Sequence, residues 1–298
     1  MSSFSIKHLL SGRQWQRFLL LTAFITAAVP VMASDFFTDF PQHRYRIVAA
    51  QVYTPSGWPQ ALKGDLYLPR SPSASVPVVL VVHGGSWQAG ARDDYDIAKV
   101  AKALAVHGYA AFSIDYRLAP QNRHPAQLQD MQQSLRWLQA HAGDYRLDMH
   151  RLSAWGYSAG AHLVSLLAVQ PDMPGLPPLR AVVAGGTPAD LRVYPDSPAA
   201  KALLGSRPAE SPELYKEASP LALVRPGLPP FFLYHGAVDD LVLPSQAENF
   251  ASALRADGVP VELLLLPDYG HVKTALFQGR SAPAALNFLD RQTSSQTP

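Results

Sequence analysis

The run Val78–Val82, an unbroken series of valine and leucine between Pro77 and His83, constrains the fold more than any other stretch of the chain. A strand with one wet face alternates apolar and polar residues. An unbroken apolar strand has both faces covered, as in a parallel sheet flanked by helices. Similar runs recur at Ala110–Ile114, Leu152–Gly156, Ala181–Ala184, Phe231–Tyr234 and Val261–Leu266. Helical patterns lie between and after them, over Asp94–His107, Ala126–Ala142, Ala159–Val169, Pro244–Ala256 and Lys273–Asp290. This alternation predicts an α/β domain with a mostly parallel sheet and right-handed crossovers. Arg44–Tyr53 and Leu62–Pro69 have no helix between them and read as an opening antiparallel pair.

Two segments stand outside the rhythm. Residues 1–33 carry Lys7, Arg13 and Arg17, no acidic residue, and then an apolar run from Phe18 that ends in small residues at Ala33. That is the layout of a secretory signal peptide, with the domain proper expected over 34–298 and the mature protein periplasmic or secreted. The alternative is an N-terminal membrane anchor. After cleavage no stable membrane insertion is expected, because the apolar run is shorter than a span of ~20 residues. The second segment holds the prolines: thirteen of 27 fall between Pro171 and Pro230, where they exclude helix interiors and central strands. Residues 187–229 therefore read as an insertion of turns and short helices at one edge of the sheet, either roofing a pocket or standing clear of substrate.

Composition excludes several chemistries. With no cysteine, the chain has no disulfide framework, no thiolate metal site and no cysteine nucleophile. Lys+Arg 25 against Asp+Glu 23 gives no basic excess with which to bind nucleic acid through its phosphates.

Gly156-Tyr157-Ser158-Ala159-Gly160 follows one apolar run and opens a helical one, the context a nucleophile elbow requires. Its glycines let strand and helix approach, and the helix N-terminus favours negative charge developing at Ser158. His83-Gly84-Gly85-Ser86-Trp87 follows the strand Val78–Val82, where backbone N–H groups of Gly85 and Ser86, with that of Ala159, can form an oxyanion hole. A serine needs a base, and the base an orienting acid. Of ten histidines, His83 reads as loop-stabilising. His162, one helical turn after Ser158, reads as packing. His271 follows the run Val261–Leu266, and Asp239 follows the run Phe231–Tyr234 through His235-Gly236. The chain order Ser158, Asp239, His271 is that of the α/β-hydrolases.

These motifs, with Asp115-Tyr116-Arg117-Leu118-Ala119-Pro120 and His124-Pro125-Ala126, resemble the α/β-hydrolase fold esterases and lipases. The resemblance is to the group related to hormone-sensitive lipase, the feruloyl and acetyl-xylan esterases, and kynurenine formamidase. It implies a mostly parallel eight-stranded sheet with helices on both faces and a small cap-like insertion. It implies Ser158 as nucleophile, His271 as base and Asp239 rather than Asp240 as acid, the acid standing four residues after the histidine of the His-Gly pair. Asp115 and Arg117 become structural, while Trp87 and Tyr157 are expected to line the substrate pocket. Ser86 departs from the third glycine of many relatives. The implied activity is that of a serine carboxylesterase acting on short-chain acyl esters, including esters carried on plant polysaccharides, with no metal and no cofactor. Two other readings use the same scaffold: an arylformamidase-type amide hydrolase, and a non-catalytic binding protein.

Overall fold

Val78–Val82 lies inside the sheet, and each of its five side chains is fully buried. The structure, a computed structural model, describes residues 40–294 apart from 73 and 172. The expected signal segment, residues 1–33, lies outside the described residues. In chain order the strands are β1 (Tyr45–Val52), β2 (Lys63–Pro69), β3 (Val76–Val82), β4 (Ala110–Ile114), β5 (Leu147–Tyr157), β6 (Ala181–Gly185), β7 (Phe231–Gly236) and β8 (Val261–Leu266). They form one eight-stranded sheet in the order β1-β2-β4-β3-β5-β6-β7-β8. The opening pair is antiparallel as expected, β2 is also antiparallel to β4, and all other neighbours are parallel.

Register decides where the site sits. Val82 pairs with Ile114 and Gly156, Gly156 with Ala184, and Ala184 with Leu233. The carboxyl ends of these strands therefore line up, and the loops that leave them share one edge, where open α/β sheets bind ligands.

Helices cover both faces. One face of alternating strand residues, with Val79, Val81, Trp155, Val183, Phe232 and Tyr234, packs against α1 (Tyr95–Val106) and, near the carboxyl terminus, the helix Ser281–Thr293. Between these two helices the chain forms α2 (Ala126–Ala140), the single turn α3 (Ala142–Tyr145), α4 (Ala159–Val169), α5 (Pro198–Leu204), α6 (Pro212–Glu217), α7 (Ser245–Ala256) and α8 (His271–Leu276), which makes Ser281–Thr293 α9. On the opposite face α4 packs on β5 and β6 and α7 on β7 and β8. Every residue of α4 is buried. No helix among the described residues is long and apolar enough to cross a membrane.

One expected helix is two. The pattern over Lys273–Asp290 breaks after Leu276 and restarts at Ser281. Pro283 explains the break: it donates no hydrogen bond, and its ring would clash with the carbonyl four residues back, so it fits only in the first turn of a new helix. The insertion 187–229 consists of short pieces, with 3₁₀ turns at Leu191–Val193 and Pro220–Leu223 beside α5 and α6. Pro198, Pro212 and Pro220 open three of these pieces, positions where the missing N–H would have had no partner anyway. The insertion joins β6 to β7, both interior strands, so it leaves the carboxyl end of β6 and does not flank an outer strand.

Candidate active site

Ser158 sits between β5 and α4 with φ 53° and ψ −120°, a backbone conformation that non-glycine residues adopt only where the surroundings impose it. The surroundings here are backbone. A Cβ on Gly160 would stand 2.1 Å from the Val82 carbonyl oxygen, and one on Gly156 would stand 2.4 Å from the Gly160 carbonyl. The Ser158 N–H donates to the Gly185 carbonyl at 2.8 Å, and its own carbonyl accepts from His162 N–H at 2.9 Å. The side chain is half-buried, so solvent reaches it at the N-terminus of α4.

The loop after β3 lies against this turn: a Cβ on Gly84 would be 3.5 Å from that of Ser158. Gly85 has φ +103° and no room for a side chain, since a Cβ would meet the Ala89 carbonyl oxygen at 2.1 Å. Ser86 and Trp87 follow with φ 54° and 62°. The N–H groups of Gly85, Ser86 and Ala159 donate to no acceptor among the described residues. His83 is buried, stacked on Tyr116 at 4.2 Å, with Nδ1 2.7 Å from the Gly84 carbonyl. Burial pushes its pKa down. As expected from the sequence, it stabilises the loop. Asp115 pairs with Arg92, and Arg117 grips Asp130, so these residues are likewise structural.

Asp239 and His271 arrive from the loops after β7 and β8. Asp239 is 3% exposed. Its Oδ1 accepts from Leu241 N–H at 3.0 Å and Val242 N–H at 2.9 Å, and its Oδ2 accepts from His271 Nδ1–H at 2.6 Å. His271 Nε2 is 2.8 Å from Ser158 Oγ, which completes the line from serine through imidazole to carboxylate. Burial by itself would raise the Asp239 pKa. The bonds from His235 and His271 and the Val242 amide overcome it and hold the carboxyl well below the usual carboxylate range. Asp240, next in sequence, is exposed.

Two expected pocket residues are placed differently. Tyr157 is 3% exposed and lies beneath His271, its hydroxyl donating to the His271 backbone carbonyl at 2.6 Å. As the last residue of β5 it points into the helix-covered face that also holds Trp155 and Tyr234. Trp87 is 4% exposed, and its indole N–H is spent on His162 Nδ1 at 3.2 Å. A cavity of about 560 Å³ lined by Lys63, Arg92, Asp115, Tyr116 and Asn122, among others, contains none of Ser158, Asp239 and His271.

Sequence reasoning also passed over a residue at the acid. His235 is fully buried, donates from Nε2 to the Val242 carbonyl at 2.8 Å, and stands 3.2 Å from Asp239 Oδ2. The spacing His235-x-x-x-Asp239 was the available signal, and a turn that folds back on itself is what makes it a contact.

An eight-stranded, mostly parallel sheet with helices on both faces, and with serine, aspartate and histidine on the loops after β5, β7 and β8, is the architecture of the α/β-hydrolases. The chain belongs to the BD-FAE family, which it matches over residues 64–254. It is similar to the carboxylesterase NlhH of Mycobacterium tuberculosis, 31% identical over an alignment of 239 residues that covers 74% of this chain and 74% of NlhH. It is also similar to the esterase LipQ of the same organism, 28% identical over 253 residues. That match takes in 78% of this chain and 58% of LipQ, so the chain spans little more than half the length of that relative. Among solved structures, the acetyl ester-xyloside bifunctional hydrolase from Caldicellulosiruptor lactoaceticus superposes with a TM-score of 0.68 at 25% identity, covering 80% of this chain and 90% of that one.

Proposed function

We propose that the protein is a serine carboxylesterase that hydrolyses short-chain acyl esters through an acyl-enzyme, with Ser158 as nucleophile, His271 as general base and Asp239 as the orienting acid. The observation that carries this reading is the continuous line of contacts, 2.8 Å from Ser158 Oγ to His271 Nε2 and 2.6 Å from His271 Nδ1 to Asp239. Asp239, held as the carboxylate, fixes the proton on Nδ1 and leaves the Nε2 lone pair facing the serine hydroxyl. As Ser158 Oγ bonds to the ester carbonyl carbon, its proton passes to His271 Nε2 and the carbonyl π pair moves to oxygen. The unpaired N–H groups of Gly85, Ser86 and Ala159 are the donors for that oxyanion, each worth ~3 kcal/mol in such sites. Collapse breaks the bond to the alcohol oxygen, which leaves with the proton from His271. Water then repeats the steps at the acyl-enzyme, releases the acid and restores the serine.

Acetyl esters on saccharides are the favoured substrate class, supported by the likeness to the Caldicellulosiruptor acetyl ester-xyloside hydrolase and by the leader-like residues 1–33, which suit a protein exported to meet such material. Hydrolysis of p-nitrophenyl esters from C2 to C12, acetylated xylan, methyl ferulate and an N-formyl arylamine tests the reading. The expected result is preference for the shortest esters and release of acetate from xylan. Preference for the formamide would move the protein to the amide hydrolases. Ser158→Ala is expected to lower kcat by several orders of magnitude, ~10⁶-fold at the upper end, with the fold intact. Retained hydrolysis would overturn the assignment.

A further inference from the structure

His162 uses both ring nitrogens, and neither contact belongs to its own helix. It is fully buried one helical turn after Ser158. Trp87 Nε1–H donates to His162 Nδ1 at 3.2 Å, and His162 Nε2 lies 2.7 Å from the Ala218 carbonyl. An indole nitrogen only donates and a carbonyl only accepts, so the tautomer is fixed: the proton is on Nε2 and the lone pair is on Nδ1. The two rings meet edge to face at 81° with centroids 5.1 Å apart. One side chain on the nucleophile's helix thereby ties together the loop after β3 and the insertion after β6.

What it ties is the strained part of that loop. Ser86 and Trp87, both with a side chain and both at positive φ, need contacts elsewhere to stay there. The Trp87 carbonyl accepts from Ala119 N–H at 2.8 Å, and the Trp87 indole is anchored on His162. The Ser86 N–H precedes that anchor by one residue and has no acceptor among the described residues.

We propose that His162 is a positioning residue for the oxyanion hole: through the Trp87 indole it holds the Ser86 and Gly85 amides where the oxyanion forms, and through Ala218 it makes their placement depend on the insertion. This rests on the reading of Ser158 as nucleophile. Burial lowers the His162 pKa to about 4, with the Ala218 bond opposing and the charge of His124 adding to it. The ring is therefore neutral in neutral solution and keeps the lone pair that Trp87 needs.

The test uses the full chain, with active sites counted by fluorophosphonate labelling of Ser158. Three quantities are read: kcat and KM on p-nitrophenyl acetate, and the affinity of a trifluoromethyl ketone. The ketone adds to Ser158 Oγ to give a tetrahedral adduct whose oxygen sits in the same hole. Trp87→Phe keeps an aromatic ring and removes the donor, and His162→Leu removes the acceptor. Each is expected to lower kcat per labelled site about 10- to 100-fold, since small misplacements of such donors cost on that order. KM should stay within about twofold, and ketone affinity should fall by the same factor as kcat. The double variant should be no worse than the worse single one, because both remove one contact. His162→Asn, whose side-chain oxygen can still accept from the indole, should recover most of the loss.

If Trp87→Phe leaves kcat per labelled site and ketone affinity unchanged, the proposal is overturned while the esterase reading stands. A fall in kcat without a matching fall in ketone affinity also overturns it, since an oxyanion-hole defect must appear in both. A wild-type chain that neither labels at Ser158 nor hydrolyses the ester overturns the esterase reading itself, and this inference with it. Should His162→Leu fail to fold, Trp87→Phe alone carries the decision.

Discussion

A Cβ added at Gly160 would stand 2.1 Å from the Val82 carbonyl oxygen, whereas one added at Gly270, beside the proposed base, finds nothing nearer than the Val238 carbonyl oxygen at 3.6 Å. The two halves of the site are held by different means. On the nucleophile side, backbone packs on backbone around Gly85, Gly156 and Gly160, and α4 is buried along its whole length. On the acid and base side the chain is tight where β7 ends, at Gly236 against Tyr269. Beyond that point a few backbone bonds, such as Val238 N–H to the Tyr269 carbonyl, are joined by side-chain bonds: the acceptors of Asp239 and the Tyr157 hydroxyl under His271. This half also lies toward the rim of the sheet. Its strand β8 is the last in the order and mostly half-buried, and Val238, Leu243 and Val272 stand exposed around it. Backbone packing holds a strained serine in one place, while side-chain bonds orient the histidine that faces it.

After Ser158→Ala itself, the largest effect should come from removing charge on the acid side without changing shape. Asp239→Asn is expected to lower kcat about 10⁴-fold by analogy with serine proteases, because an amide no longer dictates which nitrogen of His271 carries the proton. Melting temperature and Ser158 geometry should change little. A loss of only a few-fold would show that backbone placement governs this half as well.

The halves should also separate by pH. On the nucleophile side His83 and His162 are pushed down by burial, His162 to about 4. Between that value and the ordinary ~6.5 the unfolded chain binds a proton that the folded chain refuses. Stability from His162 therefore falls as pH drops through this window, by up to ~3 kcal/mol. Asp239 responds in the same direction but in a lower window: its folded pKa is also depressed, so its contribution is intact above the ordinary ~4 and is lost only as pH falls below it. Asp96, raised by burial to about 6, opposes the histidines, so the measurement is a difference. Urea melts of wild type and His162→Leu at pH 7, 6, 5 and 4.5 should converge as the pH falls. Parallel curves would refute the assignment of this window to the nucleophile side.

Gly160→Ala tests the backbone contact directly. Its methyl group has nowhere to go but into the Val82 and His83 carbonyls, and overpacking of this kind costs ~1–3 kcal/mol. A drop in melting temperature of roughly 3–10 °C is expected for a domain of this size, together with lost labelling of Ser158. Gly270→Ala should leave both unchanged.

The division between the halves follows what could be read in the sequence. Apolar runs located the strands that carry the site, and Gly156-x-Ser158-x-Gly160 located the turn, because backbone requirements leave a mark in residue type: only glycine fits where another backbone approaches. Asp239 and His271 were legible through chain order and loop position. Partners chosen by tertiary contact were not. Trp87 and His162 are 75 residues apart, and Tyr157 and the His271 carbonyl are 114 apart. A tyrosine before the nucleophile reads equally well as a pocket wall or as a buried donor until the register of β5 is known. The break at residues 277–280 was missed because the apolar pattern runs through it, while Pro283 acts on a carbonyl four residues back.

The smallest effect belongs to the residue that joins the halves. Tyr157 stands on β5 immediately before Ser158, yet its hydroxyl donates to the backbone of His271. Burial, and then the charge of Asp239, pushes its pKa well above the ordinary value, so it remains a donor at every pH at which the enzyme works. Tyr157→Phe removes one buried hydrogen bond to that carbonyl, at a cost of ~1 kcal/mol. The first turn of α8 keeps its own bond from Thr274 N–H to the Gly270 carbonyl at 3.0 Å, so His271 should loosen and stay attached. The expected outcome is a kcat lowered about 10-fold, close to the free energy of one neutral hydrogen bond, with KM and Ser158 labelling unchanged. A loss of ~10³-fold or more would mean that His271 is placed chiefly from beneath by β5, so that the acid side depends on the backbone frame of the nucleophile side. No change at all would leave Asp239 as the sole determinant of where the imidazole stands.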